Sequence, residues 1–254
     1  MTIPSFSISP TPHTAADTLV IFGIFEDGAQ LKLFAPPEFS HLLDIAKSLD
    51  ASTALESLTR ALDPSAPGVS VAFVGLGLSK PSPDELRLAA GATARRYNEK
   101  QNLEFVFPFE TKEEVLATVE GALLGAYTFS RYKSTKSAEP RKRIEHVAIR
   151  SSLNVSDVDA KVVGEKCAAV ALVKDLVNTP ARDLTPDDLA AIAKDLTQDS
   201  KIHATVWDEE LLANDGFGGI LGVGQGSVHP PRLVKLEYHP SKATRHVALV
   251  RSEE

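Results

Sequence analysis

Strand-like apolar runs alternate with helical amphipathic stretches along most of this chain. Thr18–Phe25 (TLVIFGIF) is near-continuously apolar, of strand length and rich in β-branched residues. The Glu26-Asp27-Gly28 turn and the alternating run Gln30–Phe34 (QLKLF) then predict a hairpin. Leu42, Ile45, Ala46 and Leu49 recur at helical spacing within 38–49, whereas 51–62 follows neither period, and 63–68 (DPSAPG) is a loop. Val69–Leu76 (VSVAFVGL) reads as a buried strand. Ser82-Pro83-Asp84-Glu85 opens a helix with cap, proline and acids in order, and Leu86, Ala89, Ala90 and Ala94 form its apolar face. A strand at Leu103–Phe107, a helix capped by Thr111 and running to about Tyr127 and a strand at Ile144–Ile149 complete the first body, and a connecting helix runs from Ser156/Asp157 to Val177. Strands alternating with helices imply an α/β fold with a mostly parallel sheet covered on both faces.

Asn178-Thr179-Pro180 stops that last helix, because a residue before proline is pushed out of the α region. Thr185-Pro186-Asp187-Asp188 starts the next, Pro186–Gln198, whose core face is Leu189, Ile192, Ala193 and Leu196. A strand at Ala204–Trp207, a brief helix capped by Asp208, and strands at Arg232–Tyr238 and His246–Val250 follow. Residues 1–16, rich in Ser, Thr and Pro, read as a flexible leader. The predicted organisation is thus a leader (1–16), a first domain (17–150), a linker helix (151–179) and a second, incomplete body (180–254).

An apolar fraction of 43% is that of a globular protein, and a formal charge of −7 excludes a global attraction to nucleic acid or anionic membrane. The single cysteine, Cys167, rules out an internal disulfide framework and suits a reducing cytosol. With no basic, apolar signal segment and no apolar run of membrane length, the expected location is the cytoplasm.

The candidate chemistry is sparse. Gly75-x-Gly77 follows a strand but lacks the rest of a dinucleotide fingerprint, and reads as a strand-to-helix turn. Gly222-x-Gly224-x-Gly226 runs into Pro230-Pro231 and reads as a closely packed loop. None of the seven histidines forms a metal-ligand pair, and His146 and His246 sit at strand starts as structural residues. Asp175, Asp183, Asp187 and Asp188 read as helix-end and capping charges. The run 131–143 (RYKSTKSAEPRKR) sets six bases, Arg131, Lys133, Lys136, Arg141, Lys142 and Arg143, against one acid. It is the place where nucleic acid phosphate would be bound. A solvated loop or an acidic subunit contact fits the net charge better.

Two long stretches carry a resemblance. DLVNTPARDLTPDDLAAIAKDL, from Asp175, and GFGGILGVGQGSVHPPRLVKLEY, at Gly216–Tyr238, resemble the cytosolic leucyl aminopeptidases, metallopeptidase family M17. EGALLGAYTFSRYKS, at Glu120–Ser134, and the TLVIFGIFEDG opening are similar to the same family, so the likeness spans about Thr18–Val250. It implies a macro-like, three-layer N-terminal domain joined by a helix to an α/β catalytic domain. It further implies a hexamer that uses two divalent ions, zinc or manganese, to activate a water for release of N-terminal residues, preferentially leucine, from peptides. In the family a strand like HVALV runs into a glycine-lysine-glycine turn and an aspartate-bearing block; here Arg251-Ser252-Glu253-Glu254 stand instead. No catalytic or metal residue carries over. These 254 residues are therefore expected to be truncated before the metal site, to bind no metal pair and to be inactive alone. The alternative is a non-enzymatic module for DNA binding or hexamer assembly.

Overall fold

The computed structural model describes residues 3–66, 69–78, 80–132, 143–198 and 200–250. The chain divides into two units, Met1–Asp175 and Leu176–Glu254.

Among the described residues of the first unit, seven strands form one sheet, in the order β1 (Ser5–Ser9), β7 (His146–Arg150), β6 (Asn102–Phe105), β2 (Thr18–Asp27), β5 (Ser70–Gly75) and β4 (Leu58–Leu62). The β1–β7, β7–β6, β6–β2 and β2–β5 pairings are parallel, and β4–β5 is antiparallel. β3 (Gln30–Phe34) runs antiparallel beside Gly23–Asp27 of β2, beyond the point where β6 ends. Gly28 (φ +54°) and Ala29 (φ +66°) form the two-residue turn between them, whose positive angles match the twist of the flanking strands.

β2 explains why the sheet is buried on both faces. Leu19 and Ile21 point to one side, and Val20, Phe22 and Ile24 to the other. The first side packs under α2 (Pro83–Arg96), α3 (Lys112–Gly125) and the Val163–Cys167 stripe of α4 (Asp157–Asn178). The second is covered by α1 (Leu42–Ser48), through Leu42 and Ala46, and by Phe39. The result is a three-layer α/β arrangement with a mostly parallel sheet, as the apolar patterning requires. Phe22, Phe73, Phe105 and Phe107 are fully buried, each contributing about 1.5–3 kcal/mol. Ser82 with Glu85, and Thr111 with Glu114, form reciprocal capping boxes that start α2 and α3. The two helices approach closely enough for backbone contact at Gly91, Gly121 and Gly125.

The second unit contains α5 (Pro186–Thr197), β8 (Ile202–Trp207), α6 (Glu209–Asn214), α7 (Gly218–Gly224) and β9 (Leu233–Tyr238), with β8 and β9 antiparallel.

Four expectations change. Within the expected leader (1–16), the described residues 3–16 are not loose, because Ser5–Ser9 is an edge strand whose Phe6 and Ile8 pack on the core. The division between units falls inside α4, whose Val163, Cys167 and Ala171 are buried, so 151–179 is not a separate linker. Residues 218–224 are helical rather than a loop. Proline restricts only its own turn and its predecessor, and Pro230 lies well beyond Gly224. His246–Val250 is not a strand: Val247, Leu249 and Val250 are 85%, 94% and 94% exposed, and no ladder partner lies beside them among the described residues. The unassigned stretch 51–62 contains β4.

Candidate functional site

The stretch 175–186 stops and restarts the chain as its prolines and caps require. α4 ends at Asn178, Ala181–Asp183 makes a single 3-10 turn, and Thr185 opens α5. The Asp188 carboxylate accepts from the Thr185 N–H at 2.8 Å, while the Thr185 hydroxyl oxygen accepts from the Asp188 N–H at 3.4 Å. Downstream, Arg232 donates to Asp187 through Nε and to Glu209 through a terminal nitrogen, each at 2.5 Å. One guanidinium thereby ties the residue before β9 to the first turns of α5 and α6. Burial alone would lower its pKa, but the two carboxylates outweigh burial and hold it above the ordinary value.

Among the described residues, no group of three or more His, Cys, Asp and Glu side chains could hold a metal ion. Their donor chemistry does not fit the two divalent ions that the resemblance implies. No helix among the described residues is long and apolar enough to cross a membrane.

The first unit holds two polar knots on opposite sides of its sheet. On the helical side, Glu120 of α3 accepts from Arg87 Nε at 3.1 Å and pairs with Lys166 of α4 at 2.7 Å. Burial pushes the Glu120 carboxyl up, but Lys166 and Arg87 win and hold it below its ordinary 4.5. Beside it, Cys167 lies buried with Sγ 3.9 Å from the Glu120 carbonyl, and burial raises its thiol pKa to about 11. Such a thiol is a packing residue, not a nucleophile. On the other side, Glu104, only 1% exposed, accepts from Arg150 Nε at 2.9 Å and from the His13 N–H at 3.0 Å. His13 stacks on His146, with ring centroids 4.8 Å apart. His146 is thus a hydrogen-bonded histidine at a strand start, as read from the sequence. His13 was hidden in the supposed leader, although the alternation of Ser5, Ser7 and Ser9 with Phe6 and Ile8 is a strand signal.

Of the basic run, Arg131 and Arg143 are exposed, and the Arg131 guanidinium lies 5.7 Å from the Tyr132 ring centre. Lys133, Lys136, Arg141 and Lys142 lie outside the described residues.

Residues 21–136 match the cytosol aminopeptidase family, N-terminal domain, and residues 171–251 match the cytosol aminopeptidase family, catalytic domain. The chain belongs to the cytosol aminopeptidase family. A protein described as "Probable cytosol aminopeptidase" from Leifsonia xyli is 37% identical over 253 residues, covering 98% of this chain and 50% of that protein. A protein of the same description from Clavibacter michiganensis is 35% identical, covering 98% of this chain and 51% of that one. The chain spans about half the length of the curated relatives it matches. Among solved structures, a tomato leucine aminopeptidase variant superposes with a TM-score of 0.77 at 22% identity, over 96% of this chain and 52% of its own. The bottromycin maturation enzyme BotP, in complex with Mn, gives 0.69 at 24% identity, over 89% and 46%. These likenesses establish the fold.

Proposed function

We propose that these residues serve a metal-dependent aminopeptidase that removes N-terminal residues, preferentially leucine, from peptides. The first unit acts as its N-terminal domain, and the second supplies the opening of its catalytic domain. The observation that carries this reading is the pair of domain matches, in the family's order, across 21–136 and 171–251. A pair of zinc or manganese ions, a hexameric assembly and a cytoplasmic location belong to the same reading, on the strength of family membership. Since the described residues offer no metal donor set, these 254 residues alone should hydrolyse nothing. The residues that would hold such ions, and the Lewis acidity the ions would supply, would lie outside the described residues.

A chimera tests this directly. The 254 residues replace the matching half of the Leifsonia relative, and leucine p-nitroanilide hydrolysis is followed with added Mn2+ or Zn2+. The expected result is metal-dependent release of nitroaniline by the chimera and none by the 254-residue chain. A folded, metal-loaded chimera without activity would overturn the aminopeptidase reading, and turnover by the chain alone would overturn the assignment of the chemistry elsewhere.

A further inference from the structure

The edge strand β1 is held by a histidine placed between two of its hydroxyls. At the start of β7, His146 meets Ser5 Oγ through Nδ1 and Ser7 Oγ through Nε2, each at 2.8 Å. The single Ser5 hydroxyl proton is donated to the Glu145 carbonyl at 3.0 Å. Ser5 Oγ must therefore accept from Nδ1–H, which leaves Nε2 bare and accepting from the Ser7 hydroxyl. The His13 ring lies on the His146 ring at 4.8 Å, with the planes 20° apart. His13 belongs to the segment that follows β1 across the sheet. Further bonds fix that segment: His13 N–H to Glu104 (3.0 Å), His13 Nε2 to Asn102 Oδ1 (3.4 Å), Asn102 Nδ2 to the Ala16 carbonyl (2.8 Å) and Lys100 Nζ to Asp17 (2.7 Å).

We propose that His146 is an acid-released latch, which holds residues 3–17 on the sheet at neutral pH and frees them when its ring is protonated. Protonating Nε2 forces the Ser7 hydroxyl to turn from donor to acceptor. A cation on His146 would also lie against the face of the His13 ring, 4.8 Å away. The surrounding groups do little to offset this. β1 presents only the uncharged Ser5 and Ser7, and the crossing segment presents Asp17, paired with Lys100. β6 presents Asn102 and Glu104, and the Glu104 charge is matched by Arg150 of β7 at 2.9 Å. Glu145, which precedes β7, offers its carbonyl to Ser5 and is itself exposed. Burial, with a further contribution from His13, holds the His146 imidazole below its ordinary 6.5. The sign follows: attachment is complete above about pH 6.5 and is lost as the pH falls through the lowered value. Release would bare one edge of β7 and remove a wall of the cleft, about 480 Å3, that Phe6 and Ile8 line with Ala160 and Gly164 of α4.

The test is amide hydrogen exchange of residues 5–9 in the 254-residue chain at pH 7.5 and pH 5.0, corrected for intrinsic rates and referenced to β2. Wild type should lose protection in acid, by about tenfold for each pK unit that separates the bound from the free imidazole. H146Q keeps one donor and one acceptor for the two hydroxyls and should show no acid response; H13Q should show a smaller one than wild type. Unchanged wild-type protection, or an acid response that survives in H146Q, overturns the latch. Should H146Q not fold, an undiminished response in H13Q overturns it equally.

Discussion

Gly121 sits where α3 presses on α2, and replacing it with alanine should cost stability for a reason readable in ångströms. A Cβ at this position would lie 2.0 Å from the Arg87 carbonyl oxygen and 2.9 Å from the Arg87 Cα. In an unobstructed helix interior, glycine to alanine gains about 0.5–1 kcal/mol. Here the obstacle is backbone, so the helices must part, and overpacking of this kind costs about 1–3 kcal/mol. The clash outweighs the propensity. Net of that gain the loss is up to about 2.5 kcal/mol, and a unit of this size melts about 2–4 °C lower per kcal/mol, so Gly121→Ala should lower the first unit's transition by up to about 10 °C. Gly164→Ala in α4 is the matched control, since its new methyl would meet only Phe6 Cε1, at an ordinary 3.5 Å. It should gain about 0.5–1 kcal/mol and melt up to about 4 °C higher. Differential scanning calorimetry of both variants decides the matter. A Gly121→Ala chain that melts at or above wild type would refute the close-approach argument, as would two variants moving in the same direction.

Three more outcomes are expected. Glu120→Gln should be destabilised by about 1–3 kcal/mol at pH 7. In wild type, the Glu120 contribution is present above its ordinary 4.5 and is lost as the pH falls through the lowered value. An acid-unfolding curve for the variant with the same slope below pH 4.5 would contradict this. Arg232→Met keeps the apolar stem but releases Asp187 and Glu209, carboxylates that are 60% and 48% exposed. The loss should be only about 1 kcal/mol, seen as faster exchange in β8 and β9, and an unaltered exchange pattern would count against the tie. With its thiol raised to about 11, Cys167 is about one part in a thousand thiolate at pH 8. Folded chain should therefore resist a disulfide reagent for as long as it stays folded, and modification within seconds would show the site to be open.

Much of the fold is legible because local signals agree with the packing they meet. Ser82, Thr111 and Thr185, each followed three residues later by an acid, announce α2, α3 and α5, and all three form reciprocal boxes. β2 and β5 are legible because burial on both faces leaves an unbroken apolar run. β1 is obscured by its Ser- and Pro-rich surroundings, although one face alternates Ser5, Ser7 and Ser9 while Phe6 and Ile8 join the core. α7 is obscured because glycine lowers helix propensity, yet the Phe217 carbonyl accepts from Ile220 and Leu221 and starts the turn. The apolar alternation of 246–250 promises a strand that no described neighbour pairs with; a strand needs a second strand, which local patterning does not supply. The functional family was readable in long motifs at 175–238, whereas the His13–His146 stack joins distant segments that no local pattern links.

The parallel pairing of β1 with β7 also sets a clock on synthesis. Ser5 leaves the ribosome 141 residues ahead of the His146 it must meet, a delay on the order of ten seconds at 5–20 residues per second. Throughout that interval Phe6 and Ile8 have no sheet to join, while β2, β5 and β6 can already assemble. β1 is therefore made before β2, β5 and β6 and docks after them. The nascent chain carries a short apolar segment in waiting, and closure of the sheet becomes a late, long-range step rather than a nucleating one.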